Sequence, residues 1–249
     1  TIVFTIVFFW LIAYGKIGFM PSFEELENPK SLVATEIITS DNQLLGKYYK
    51  DENRTLVEFE DLNKNLVYAL IATEDERYLK HSGIDLRGLF RVVKGVVTNN
   101  TSSGGGSTIS QQLAKLLFPR NENNSGLKLV VRKFREWIIA VKLERSYTKE
   151  EIIAMYLNKF EFINNAFGVE VASQTYFNIP QDSLQLHQAA VLIGMLKNPS
   201  LYNPERHSER SLDRRNVVLK QMLKNRYLNR EQYDSTRIKP LDVNFNRNE

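Results

Sequence analysis

The 249-residue chain contains no cysteine, which excludes a disulfide framework and any thiolate metal site. It also lacks a strong charge of one sign. Its 33 basic and 29 acidic residues leave a formal +4, too small a surplus to mark a nucleic-acid protein. No internal repeat is visible, so solenoid architectures drop out. The glycine run at 104–106 is not followed by the Gly-Lys-Ser/Thr of a P-loop, which excludes nucleotide binding in that mode. What the chain does have is 43% hydrophobic residues, enough for one large core or two small ones.

The opening, Thr1 to Tyr14, is uncharged, and the first charge is Lys16. A membrane span needs roughly 20 apolar residues. Since the chain begins without methionine, residues 1–20 read as a transmembrane helix truncated at its start. Trp10, Tyr14 and Lys16 suit an interfacial belt. A signal-peptide core and a buried globular helix are the alternatives, and no clean small-residue cleavage site follows. Residues 21–60 read as a juxtamembrane linker and then short strands, in bursts at 33–39, 44–49 and 55–59.

From Asp61 the period becomes helical, and the chain reads as mainly α. Val67, Leu70, Ile71, Glu74, Tyr78 and His81 recur at spacings of three and four, which places Glu74 on an apolar stripe. Residues 84–97 form a basic amphipathic stretch, suited either to a membrane interface or to a core-facing helix with a solvated basic side. Asn99 to Gly106 predicts a loop. Helices are expected over 108–118, 127–145 and 148–158, the last opened by a Thr148/Glu151 capping box, and then over 183–197 and 211–228.

Three groups carry candidate chemistry. A carboxylate on an apolar helix face is desolvated and holds a proton more readily, the property of a general base, and Glu74 has that placement. Its ordinary counterpart is a buried glutamate paired with a neighbouring arginine or histidine. The Gly104-Gly-Gly-Ser-Thr run leads into a helix whose first turns carry Ser107, Thr108, Gln111 and Gln112, with Lys115 further on. A helix start of this kind attracts anions, although a flexible linker with a capped helix has the same pattern. In the helix from Leu127, Lys128, Arg132, Arg135 and Glu136 share a face beside Lys133. That row can bind a diphosphate, or it can be an exposed salt-bridge ladder.

In order along the chain, these segments resemble the peptidoglycan glycosyltransferases of glycosyltransferase family 51, the lipid II polymerase domain of class A penicillin-binding proteins. The resemblance covers residues 62–225. Glu74 to Gly83 is similar to the first motif, Glu-Asp-x-x-Phe-x-x-His-x-Gly, with Tyr78 in place of Phe. Gly105 to Gln112 resembles the second, with Ser110 for the usual Thr, and Arg132 to Glu136 resembles the third. Lys149 to Asn158 resembles the fourth, with Ala154 for the usual Glu, and Arg214 to Leu219 resembles the fifth. Lys128 replaces the usual Arg ahead of the third motif, which keeps the charge and loses bidentate geometry.

The resemblance implies a lysozyme-like glycosyltransferase domain over 61–230, with 231–249 a linker towards a transpeptidase domain. It implies that Glu74 is the catalytic base and that Glu136 supports the donor. Arg132, Lys133, Lys115 and Lys128 would hold the leaving diphosphate, and Arg77, Ser107, Gln111 and Gln112 would contact substrate. A divalent cation, Mg or Mn, at Glu136 is among what the resemblance implies, and no organic cofactor is. The implied partners are lipid II, lipid-linked glycan, membrane lipid and other cell-wall synthesis proteins, with no nucleic acid. The implied location is the bacterial cytoplasmic membrane, single-pass, with the catalytic domain on its outer face. The competing readings are a lytic transglycosylase or lysozyme-like hydrolase, which has no diphosphate to hold, and a non-catalytic envelope scaffold. Ser125-Gly-Leu-Lys128 spells a transpeptidase tetrad, but no Lys-Thr-Gly follows.

Overall fold

The computed structural model describes residues 10–12, 14–16, 21, 35–38, 44–48, 55–98, 106–118 and 126–246. Most of the expected span over 1–20 and of the linker over 21–30 therefore lies outside the described residues, as does the 99–105 part of the glycine loop. Trp10 to Ile12 is helical, and no helix among the described residues is long and apolar enough to cross a membrane.

The chain divides into two units, one of Thr1–Lys30 with Arg77–Ile152, the other of Ser31–Glu76 with Ile153–Glu249. In the second unit, β1 (Thr35–Ile38) and β2 (Leu44–Tyr48) pair antiparallel, with Thr35 opposite Tyr48 and a bulge between Ile37 and Ile38. The third expected strand, over 55–59, does not form. The Val57 N–H donates to Asn158 Oδ1 and the Val57 carbonyl accepts from Asn158 Nδ2 (3.0 and 2.8 Å), so a side-chain amide takes the place of a strand neighbour.

Helix α1 (Lys64–Glu74) starts at Asn63, whose side chain accepts from the Asn65 N–H. It stops at Glu74, earlier than the stripe through Tyr78 and His81 predicts. Asp75 leaves the helical region at φ −154° and ψ 74°, and Asn225 Nδ2 donates to the Ala72 carbonyl, satisfying one of the orphan groups at the helix end. Tyr78 lies instead in a short 3-10 turn, Tyr78–Lys80, so neither it nor His81 shares a helix with Glu74.

The first unit holds α2 (Leu86–Val97), α3 (Ile109–Leu117) and α4 (Gly126–Ser146), with α3 packed on α4. Ile109, Leu113, Ala114, Ile139, Ala140 and Leu143 are buried there. Next comes α5 (Lys149–Lys159), opened by the expected capping box. The Thr148 N–H donates to Glu151 Oε2, and the Glu151 N–H to Thr148 Oγ1.

The second unit continues with α6 (Val169–Phe177), α7 (Leu186–Met195), α8 (Ser208–Lys224) and α9 (Arg230–Arg237). Helices α1, α7 and α8 pack against one another, and every residue of α7 from His187 to Met195 is buried. Helix α9 occupies part of the stretch that the sequence reads as a linker.

Candidate active site

Glu74 ends α1 with a side chain only 17% exposed. Its Oε1 lies 3.7 Å from Arg214 Nη2 on α8, and the Arg214 side chain is 12% exposed. Burial first, and then the charge of Glu74, push the Tyr156 phenol well above its ordinary value, which places that carboxylate near a fully buried ring. The packing of α1, α7 and α8, rather than a stripe shared with His81, withdraws Glu74 from water, and it meets an arginine there, the pairing that the ordinary reading of a buried glutamate expects. Sequence reasoning put Arg214 in the fifth motif without giving it a task. Only the pairing of α1 with α8 exposes its partner.

The first unit holds the cationic group. Glu136, 13% exposed on α4, has Oε2 3.0 Å from Lys133 Nζ and Oε1 4.0 Å from Arg132 Nε. Lys133 Nζ also donates to Ser107 Oγ at 2.9 Å, which ties α4 to the segment leading into α3. A solvated ladder would leave its carboxylate in water, and this one is largely withdrawn from it. Thr108 caps α3, accepting from the Gln111 N–H and donating to the Gly83 carbonyl at 2.7 Å.

Gln111 is 2% exposed and donates from Nε2 to the same Gly83 carbonyl at 3.1 Å, so its amide supports the loop at Gly83. Arg77 donates from Nε to Asp85 Oδ1 at 3.2 Å, an ion pair across the turn between them. Gln112 is half-buried, while Lys115 and Lys128 are exposed and not drawn into the Glu136 cluster. A second, partly buried network lies in the same unit. Lys149 Nζ donates to Glu144 (2.7 Å) and to the His81 carbonyl (2.8 Å), Ser110 Oγ donates to Glu144 (2.5 Å), and Tyr78 Oη donates to the Lys149 carbonyl (2.9 Å). Tyr78, His81, Ser110 and Lys149 thus have structural partners within the first unit.

The donor set around Glu136 fits a resident divalent cation poorly. It offers one carboxylate whose two oxygens already face cations, and no group of three His, Asp or Glu comes together among the described residues.

A family model described as Transglycosylase matches residues 41–223. Penicillin-binding protein 1A of Escherichia coli is 35% identical over 226 residues, covering 91% of this chain and 26% of that protein. The Haemophilus influenzae protein of the same name is 36% identical over 241 residues, covering 97% and 27%. Penicillin-binding protein 2a of Streptococcus pneumoniae serotype 2 is 44% identical over 178 residues, covering 72% and 23%. The chain spans about a quarter of the length of these relatives. The family match contains Glu74, Ser107, Glu136 and Arg214, the residues on which both clusters are built. The chain belongs to the transglycosylase family.

Proposed function

We propose that the chain is a peptidoglycan glycosyltransferase that polymerises lipid II into β-1,4-linked glycan with inversion at the donor sugar. The observation that carries this reading is the withdrawn Glu136 carboxylate held by Lys133 and Arg132. Cations fixed in advance stabilise a developing diphosphate at little reorganisation cost, whereas a hydrolase of finished glycan would have no use for them. Glu74 takes the proton of the acceptor 4-hydroxyl, and that oxygen attacks the anomeric carbon of the donor. Arg132, Lys133 and the exposed Lys115 and Lys128 receive the undecaprenyl diphosphate as it leaves. Glu136 orients the two cations, and Ser107 fixes Lys133. No step runs through a metal ion; a Mg or Mn ion would have to arrive on the substrate diphosphate.

The same reading takes residues 61–230 as a lysozyme-like catalytic domain, residues 21–60 as a linker and strand segment, and residues 1–20 as a membrane anchor, with catalysis on the outer face of the bacterial cytoplasmic membrane. Leu86 and Phe90 on α2 support it, being 64% and 77% exposed, and a lipid-tethered substrate needs an enzyme at the bilayer. The test is polymerisation of purified lipid II in detergent. The wild-type chain should make polymer, and Glu74→Gln should lose about 10²–10⁴-fold in rate while keeping its fold. Full polymerisation by that variant removes the base assignment. Cleavage of preformed glycan by the wild-type chain transfers the reading to the hydrolases.

A further inference from the structure

Arg214 on α8 directs its charge at Glu74. Three contacts within the second unit hold it. Nη2 is 3.7 Å from Glu74 Oε1, Nε donates to the Gly194 carbonyl at 3.3 Å, and the guanidinium lies 5.8 Å from the centre of the Tyr202 ring. We infer that Arg214 is a positioning residue that acts through Glu74, setting where the carboxylate stands when the acceptor hydroxyl arrives. The inference rests on the glycosyl-transfer reading above.

The distance suits that task. At 3.7 Å the contact is ionic rather than a close hydrogen bond, so it orients the carboxylate without donating a proton to it. The attraction exists only while Glu74 is ionised, the state from which a proton acceptor starts. In the transfer, the acceptor O–H bond breaks and its proton passes to Glu74. The oxygen's electron pair forms the new bond to the anomeric carbon. The bond from that carbon to the diphosphate oxygen breaks, and its pair leaves with the diphosphate. Arg214 acts on the Glu74 carboxylate alone and takes no part in these bond changes.

Gly194 supplies an independent observation. It is the penultimate residue of α7, and what matters there is the space it leaves. A Cβ at this position would stand 3.1 Å from Arg214 Cγ, so the arginine stem would have to shift by a few tenths of an ångström. The absent side chain leaves room for the Arg214 conformation that reaches Glu74.

Initial rates of lipid II polymerisation by the purified chain, measured against lipid II concentration, test the assignment. Arg214→Ala should lower kcat by about 10²-fold with KM changed by less than about twofold, the scale of a reacting group misplaced by about 1 Å. Arg214→Lys keeps the charge and should recover part of the loss. Gly194→Ala alters no charge and should lower kcat in the same direction with no fall in Tm. In a Glu74→Gln background, Arg214→Ala should add no further loss, because a residue acting only through Glu74 has nothing left to position. A raised KM with unchanged kcat would make Arg214 a substrate contact and overturn the inference. Unchanged kcat in both Arg214→Ala and Gly194→Ala would overturn it as well. If the wild-type chain makes no polymer, the transfer reading itself fails; if it does and the variants match it, only the role of Arg214 fails.

Discussion

Gly83 shows how a single missing side chain holds part of the first unit together. Its φ is +87°, a conformation L side chains rarely adopt, and an added Cβ would lie 2.8 Å from the Ala140 carbonyl carbon on α4. The loop can therefore press directly on the α4 backbone. The Gly83 carbonyl, fixed by that approach, accepts from Thr108 Oγ1 and Gln111 Nε2. Gly83→Ala should lose about 2–5 kcal/mol, combining the left-handed strain of about 1–2 kcal/mol with overpacking of about 1–3 kcal/mol. Urea unfolding checks it, with a lower midpoint expected at unchanged slope. A midpoint equal to the wild type would mean that the loop can move off α4 freely. Because Thr108 and Gln111 share this anchor, the variant should also polymerise lipid II more slowly, without contacting substrate itself. Gln111 gives the same lesson from the other side. The sequence places its amide at a helix start, free to meet a ligand, whereas the Gly83 carbonyl draws it inward.

Elements show where the sequence was readable and where it was not. Helices α3 and α4 lie within a residue or two of the expected 108–118 and 127–145, since Pro119 stops the first and polar loop residues precede the second. Helix α6 escaped because eight of its nine residues are buried, the polar Glu170, Ser173 and Thr175 among them, so its polar positions do not mark a wet face. Helix α9 escaped for the opposite reason, being polar nearly all round, although its Asn229-x-x-Gln232 capping box was legible and both of its hydrogen bonds form. The cluster at Glu136 was legible because its charges share one helix. The Glu74–Arg214 pair was not, because it exists only through the packing of α1 on α8. Neighbouring residues on a helix point about 100° apart, so the fifth motif serves two destinations. Arg214 reaches Glu74, while Arg215, 0% exposed, donates to the carbonyls of Arg237 (2.7 Å), Lys239 (2.6 Å) and Pro240 (3.0 Å). These acceptors cluster at the C-terminal end of α9, where a helix favours a cation. Arg215→Met should strand them and cost about 1–3 kcal/mol, with faster amide hydrogen exchange over 230–246 than elsewhere in the second unit. Exchange that rises uniformly, or not at all, would show that Arg215 does not pin α9.

For the molecule as a whole, the glycosyl-transfer proposal requires that a chain with so mild a net charge meet a lipid-borne substrate. Helix α2 offers an answer in its pattern of exposure. Leu86 and Phe90, four residues apart, face solvent at 64% and 77%, and Arg87, Arg91 and Lys94 are exposed beside them. Apolar residues and cations exposed together on one helix suit the interface of an anionic bilayer, where the side chains enter the acyl boundary and the cations meet headgroups. Burying a leucine and a phenylalanine would contribute about 1.5–3 kcal/mol each. The absence of cysteine makes this measurable at one position, since Phe90→Cys introduces the sole thiol for a polarity-sensitive fluorophore. On vesicles of phosphatidylglycerol and phosphatidylcholine, emission from residue 90 should shift to the blue, while the same label at exposed Glu209 on α8 should not. Raising salt from about 0.1 M to 1 M shortens the screening length from about 10 Å to about 3 Å, so the shift should weaken without vanishing if cations and apolar residues both contribute. A label at 90 that stays in water would leave α2 with no part in membrane contact, and any attachment to vesicles would then have to come from another part of the chain.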